Sequence, residues 1–280
     1  MNSRSGATRD AAPSYLLGHS DRELERLARQ ALLVDPMTRA FFTEAGVATG
    51  MRVLDVGSGA GDVAILAARL VGPGGSVVAT DRSEKALAVA RARAAQLGLA
   101  NLSLRVGDPG EMSFDQPFDA VVGRYVVMFQ SDHAALLRKL RAHLAPGGVM
   151  VFHEPDWYGV QTLPPVPTYD RCCGWIQEML VRTGANRHMG SGLHAAFVAA
   201  GLPAPTLRMQ AQIGVGESAA HELGLVADIV ATILPGLEAA GITSAAEAQV
   251  DSLLDRMRAE AAATSSLVVG RWEVGAWARV

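Results

Sequence analysis

The chain has 280 residues, 49% of them hydrophobic and 19% charged, enough apolar material to bury a sizeable core as one large domain or a core with additions. A formal charge of -3 and scattered arginines leave no basic stripe to track phosphates, which argues against a nucleic-acid partner. The polar start MNSRSGATRDAAPS lacks the apolar centre of a signal peptide, and no later apolar run approaches the roughly 18 residues that span a bilayer, so the expectation is a cytoplasmic protein without a membrane partner.

In chain order, residues 1–13 are small and polar and read as a disordered N-terminus. Ser20-Asp21-Arg22-Glu23 has the capping-box form and predicts a helix to about Leu33, with a second after Pro36. Together, 14–48 read as a helical lid. Then come strand MRVLDV, helix GDVAILAARLV, strand SVVAT, helix SEKALAVARARAAQLG, strands LSLRVG and FDAVVG, helix SDHAALLRKLRAHLA and strand GVMVFHE. Apolar strands alternating with amphipathic helices predict an α/β fold for 49–156: a doubly wound, Rossmann-like, mostly parallel sheet. Residues 157–280 supply the remainder. A helix passes through CCGWIQEMLVRTG, TLRMQAQIGVG reads as a sixth strand and LVVGRWEVGAWARV as a seventh. Between those strands, about 217–263 form an apolar helical insertion that either caps a site or makes a homodimer contact. The adjacent Cys172 and Cys173 suit neither a disulfide framework nor a zinc site, so buried free thiols and no metal are expected.

In a doubly wound sheet the ligand lies outside the carboxyl ends of the strands, where strand order reverses. VLDVGSGAGD (53–62) closes the first strand there, and its glycines let the main chain turn sharply and approach a ligand. The spacing departs from G-x-G-x-x-G: the third glycine comes one residue early, and Asp62 stands where the last glycine would be. Asp55 and Asp62 disfavour a pyrophosphate and favour an ammonium or sulfonium. Asp81 ends the second strand where an acid can take ribose hydroxyls, and Asp108 closes the third where a carboxylate can accept from an adenine amine. Adenosine with a cationic tail describes S-adenosylmethionine.

With VVATDRS, RVGDPGEM, FDAVVGRYVVMF and LAPGGVMVFHE, the stretch over about 50–154 resembles the class I S-adenosylmethionine-dependent methyltransferases, most closely the bacterial small-molecule type with a helical lid. The resemblance implies that Gly57, Ser58 and Gly59 meet the methionine part together with Asp55, that Asp81 takes the ribose and Asp108 the adenine, with Arg82 flanking it, and that Arg124 faces the methionine end. Pro109 departs from the family, since it lacks the amide hydrogen that a larger apolar residue there supplies to the adenine. Tyr15 resembles the lid tyrosine, though it also fits an aromatic staple ahead of the capped helix.

For the methyl acceptor, His153 and Glu154 end the fifth strand and are candidates for a base; alternation sends them to opposite faces, so at most one fits a pocket. The alternative is an ion pair for Glu154 and a helix-facing His153. His19 is a further candidate beside the helix cap. Tyr125, Met128, Phe129 and Trp157 are expected to shape the pocket, and Arg187-His188 either hold an anionic acceptor or form a solvated turn. The functional expectation is methylation of a small molecule at oxygen, nitrogen or carbon, in natural-product or other small-molecule metabolism. The alternatives are a cofactor-binding member that does not transfer the methyl group and a methyltransferase acting on RNA or protein.

Overall fold

Near-continuous apolar runs in β1 (Arg52–Val56), β2 (Ser76–Asp81) and β4 (Phe118–Arg124) are buried on both faces, as parallel strands between two helical layers must be. A computed structural model describes residues 21–280, with the backbone alone for 21–29 and 32. β3 (Leu102–Val106) and β5 (Leu144–Asp156) complete the parallel part, in the order β3-β2-β1-β4-β5. The order reverses between β1 and β4, whose residues Val53–Val56 and Ala120–Gly123 lie in register. Their carboxyl ends therefore open the crevice.

Beyond β5 the sheet turns antiparallel. β8 (Leu267–Arg279) pairs with β5 on one side and with β7 (Thr206–Val215) on the other. Among the described residues the sheet has eight strands rather than seven, because the three residues of β6 (Gln161–Leu163) pair with the start of β8. So short a strand in a proline-rich stretch has no periodicity to reveal it.

Helices α2 (Asp62–Val71), α3 (Glu84–Gln96) and α4 (His133–Arg141) follow β1, β2 and β4. One face of the sheet packs Val53, Val77 and Val122 against Ala64 and Ala67 of α2 and Phe42. The other packs Leu54, Phe118 and Phe152 against Leu137 of α4 and Leu193 and Phe197 of α6 (Met189–Ala199). A third core joins α5 (Pro167–Arg182), α7 (Ala220–Ala239) and α9 (Leu253–Thr264) through Ile176, Val226, Val230 and Met257, with the short α8 (Ala245–Ala248) between α7 and α9. Cys172 and Cys173 are free thiols in this core, and burial pushes both thiols up. Contrary to expectation, residues 216–239 are long and apolar enough to cross a bilayer, but half of that stretch is buried and α7 packs on α5, α9 and the first helix, α1 (Asp21–Ala45).

α1 (Asp21–Ala45) is one helix, not two. Pro36 removes one backbone hydrogen bond, yet the helix continues because Phe41 and Phe42 behind it are fully buried. Phe41 lies on Gly275 of β8, where an added Cβ would stand 2.4 Å from its ring. We therefore expect Gly275→Ala to destabilise the protein by about 1–3 kcal/mol, the range for overpacking a filled core. A lower urea midpoint at unchanged slope is the readout; an unchanged midpoint would mean that α1 yields freely.

Candidate functional site

The loop after β1 takes its shape from left-handed backbone at Gly57 and Gly59, with φ of +66° and +54°. At Gly57 a Cβ would press to 2.8 Å from Val126, whereas at Gly59 it would meet nothing within 4 Å. Asp81, at the end of β2, holds this loop: its Oδ2 accepts from the Gly59 amide at 2.8 Å and its Oδ1 from the Ser83 amide at 2.8 Å. Ser83 in turn caps α3 by accepting from the Ala86 amide. Asp108 accepts from the Gly110 amide at 2.8 Å and pairs with Arg82. Burial raises its carboxyl, but Arg82 and the Gly110 amide outweigh this and hold it below the usual range.

Asp55 lies beneath the loop, fully buried. Burial lifts its carboxyl to about 7, with Ser58 and Arg124 pulling the other way. Neither Asp55 oxygen meets hydrogen-bond geometry with a partner, nor does the Ser58 hydroxyl.

These elements border a cavity of about 500 Å³ at the carboxyl ends of β1 and β4. Gly57, Ser58, Gly59, Asp81, Arg82, Asp108, Pro109 and Arg124 all line it; Asp55 does not. Of the expected acceptor-side residues, Tyr125, Met128, Phe129 and Trp157 line it too. The sequence did not point to Ile176, Met179 and Leu180 of α5, Ile229 and Ile233 of α7, or Gln30 of α1, which complete the wall. Tyr15 and His19 lie outside the described residues.

His153 and Glu154 do point to opposite faces, but neither lines the cavity, and both are fully buried. Glu154 accepts from the amides of Val126, Val127 and Met128 at 2.8, 2.8 and 3.3 Å, so it is the post around which the turn after β4 is wound. Burial raises its carboxyl to about 8 against the pull of those amides. His153 lies between Thr38 Oγ1 (3.0 Å from Nδ1) and Glu273 Oε2 (2.9 Å from Nε2). A carboxylate only accepts, so Nε2 carries the hydrogen and Nδ1 faces the hydroxyl. Burial lowers the imidazole's pKa. Neither group is placed to take a proton from an acceptor in the cavity. Arg187 and His188 are also off the wall: His188 stacks on Tyr158 and reaches Asp156 Oδ1 at 3.1 Å, with Arg187 donating to its Nε2.

Tyr125 is one of three non-glycine residues with positive φ among those described, at +57°. Its hydroxyl lies 2.8 Å from each oxygen of Glu273 and accepts from Arg271 Nη2 at 3.0 Å. Arg271 lines the cavity as well. One signal for it stands in the sequence: an arginine and a glutamate two residues apart on one strand face, inside the otherwise apolar VVGRWEVGAW.

The fold and this crevice define a doubly wound α/β domain with a cavity at its topological switch point. Residues 48–180 match the family described as a methyltransferase domain. An uncharacterised protein of Mycobacterium tuberculosis is 33% identical over 145 residues, 50% of this chain and 52% of that protein. Aklanonic acid methyltransferase of a Streptomyces species is 36% identical over 133 residues, 47% of this chain and 60% of that enzyme. A phosphoethanolamine N-methyltransferase of Haemonchus contortus shares the fold, with a TM-score of 0.53 at 20% identity over 85% of this chain and 51% of that one. The chain spans about half the length of the curated relatives it matches. Over residues 48–180 the chain is thus similar to S-adenosylmethionine-dependent methyltransferases, which supports S-adenosylmethionine as the cofactor of this domain.

Two outcomes are expected. Glu154→Ala strips three buried amides of their acceptor and should cost about 3 kcal/mol or more, while Glu154→Gln keeps a carbonyl oxygen and should cost less; thermal melts compare them, and equal stability of the two would remove the post. The second concerns pH. Asp55 keeps its proton in the fold up to about 7 whereas the unfolded chain loses it near 4, so its contribution is complete at low pH and falls as pH rises through that window. The wild-type stability minus that of Asp55→Asn should therefore decline from pH 4 to 7 in urea titrations; a difference that grows would contradict the raised carboxyl.

Proposed function

We propose that the protein transfers the methyl group of S-adenosylmethionine to a small, largely apolar organic acceptor. The observation that carries this reading is the continuity of the cavity: one end is bounded by the glycine loop, Asp81 and Asp108, and the other by Met128, Phe129, Trp157, Ile176 and Ile229. On this reading Asp81 accepts the ribose hydroxyls with lone pairs left over from its two amide bonds. Asp108 and Pro109 flank the adenine with Arg82, and Ser58, Gly59 and Arg124 meet the methionine end, with Asp55 beneath. α7 lines the acceptor end, which supports the insertion as a cap; Gln30 of α1 supports the N-terminal helix as a lid. The resemblance to aklanonic acid methyltransferase supports a small-molecule acceptor.

The bound cofactor supplies an activated methyl group. The protein's own part is to hold the acceptor in line at near-attack distance, which can supply most of the acceleration. Among the described residues, the carboxylates on the wall are Asp62, Asp81 and Asp108, all at the cofactor half, and no histidine lines it. Among the described residues, positioning rather than a protein base carries the acceleration.

Titration calorimetry should show binding of S-adenosylhomocysteine and none of NAD, and Asp81→Ala should weaken the former by about 2–4 kcal/mol, the scale of a charge-assisted bidentate contact. Methyl-labelled cofactor should then pass label to a member of a panel of phenols, quinols and aromatic acids. Comparable NAD affinity, or full affinity in the variant, would overturn the assignment of the site.

A further inference from the structure

Charge is segregated around the cavity. The three acids line the cofactor half, where Arg82 is paired with Asp108; Arg124, at the tip of β4, is paired with Asp35. On the half bounded by α5, α7 and β8, the charged side chain on the wall among the described residues is Arg271. It is only 5% exposed. Its Nη2 is committed, donating to Tyr125 Oη at 3.0 Å and lying 3.0 Å from Glu273 Oε1. Its Nη1 has no hydrogen-bond partner. The guanidinium carbon lies 5.6 Å from the ring centres of both Tyr125 and Trp157, two residues that themselves line the cavity.

A buried guanidinium N–H left without an acceptor is rare in native proteins and calls for a partner. The buried Glu222 carboxyl also acts on Arg271 electrostatically, but no hydrogen bond joins it to Nη1, and the two aromatic rings beside the guanidinium cannot provide the several polar contacts that hold a water. Glu273 balances the charge from behind the wall, and its own charge is shared among Arg271, Tyr125 and His153. The fork is thus locked in orientation with one end free, the arrangement that suits an incoming oxygen anion.

We propose that Arg271 is the acceptor-recognition residue, its free Nη1 receiving an anionic oxygen, as in a carboxylate, phenolate or enolate, of an otherwise apolar methyl acceptor. The inference rests on the methyl-transfer reading above and deepens it. It also moves anion recognition from the Arg187-His188 turn, which is off the wall, to a strand residue that lines it.

The test uses protein saturated with S-adenosylhomocysteine and three pairs of probes: 1-naphthoate, 2-naphthoate and cinnamate, each with its neutral amide. In the wild type at least one acid should bind tenfold or more tightly than its amide. The double variant Arg271→Met with Glu273→Gln, which removes both charges together, should erase that preference while S-adenosylhomocysteine affinity stays within about twofold. Arg271→Lys should keep part of it. Equal binding of every acid and its amide, no binding of any acid, or an undiminished preference in the double variant overturns the inference. If the variants do not fold, the wild-type comparison decides alone. Failure of the wild type to bind S-adenosylhomocysteine at all overturns instead the cofactor reading beneath it.

Discussion

The buried carboxylate of Glu273 ties together elements that the chain order keeps far apart. It accepts from Tyr125 at the tip of β4 and from His153 on β5, and it forms an ion pair with Arg271 on its own strand, β8. Burial alone would drive this carboxyl to take up a proton, but Arg271, His153 and Tyr125 outweigh it and hold the group below the usual carboxylate range. Such a network is worth having only when every member is satisfied, since one lost partner leaves a charge stranded in a low-dielectric core. From His153 it runs on through Thr38 to Arg124 and Asp35, so α1 is fastened to the strand tips by polar contacts as well as by Phe41 and Phe42.

The same network fixes the shape of the crevice. Tyr125 adopts a left-handed backbone that a bulky residue avoids, and its hydroxyl contacts on one side and the Glu154-bound amides of the following turn on the other keep it there. That turn presents Met128 and Phe129 to the cavity. Strain at the end of β4 is thus held by acids reaching in from β5 and β8, and the wall of the acceptor half is a product of that arrangement.

Two kinds of acid therefore serve the site differently. Asp81 and Asp108 line the cavity and have lone pairs to offer, whereas Glu154 and Glu273 are struts whose oxygens are already committed to the protein. Asp55 falls between them: it is buried off the wall, yet unpartnered, with a carboxyl raised to about 7. Position relative to the wall, more than residue type, separates the three roles.

The parallel part of the fold was legible in the sequence, as was the gathering of the glycine loop, Asp81 and Asp108 at the strand ends, because apolar periodicity, glycines at a strand end and acids closing successive strands are properties of near neighbours. The break placed at Pro36 and the missed β6 show the limit of that locality: packing of Phe41 carries α1 through a proline, and three residues pair only because β8 is there to receive them. The acceptor half was read less well for the same reason. His153 and Glu154 looked like bases because they follow an apolar strand, and Arg187-His188 looked like an anion site because they are polar and adjacent. The sequence by itself determined the strand-helix alternation, the glycine loop and the acids around it. Only the tertiary structure decided that His153 meets Glu273 120 positions away and that Arg271 meets Tyr125 across 146, since which buried polar groups face one another depends on how the strands are ordered in space.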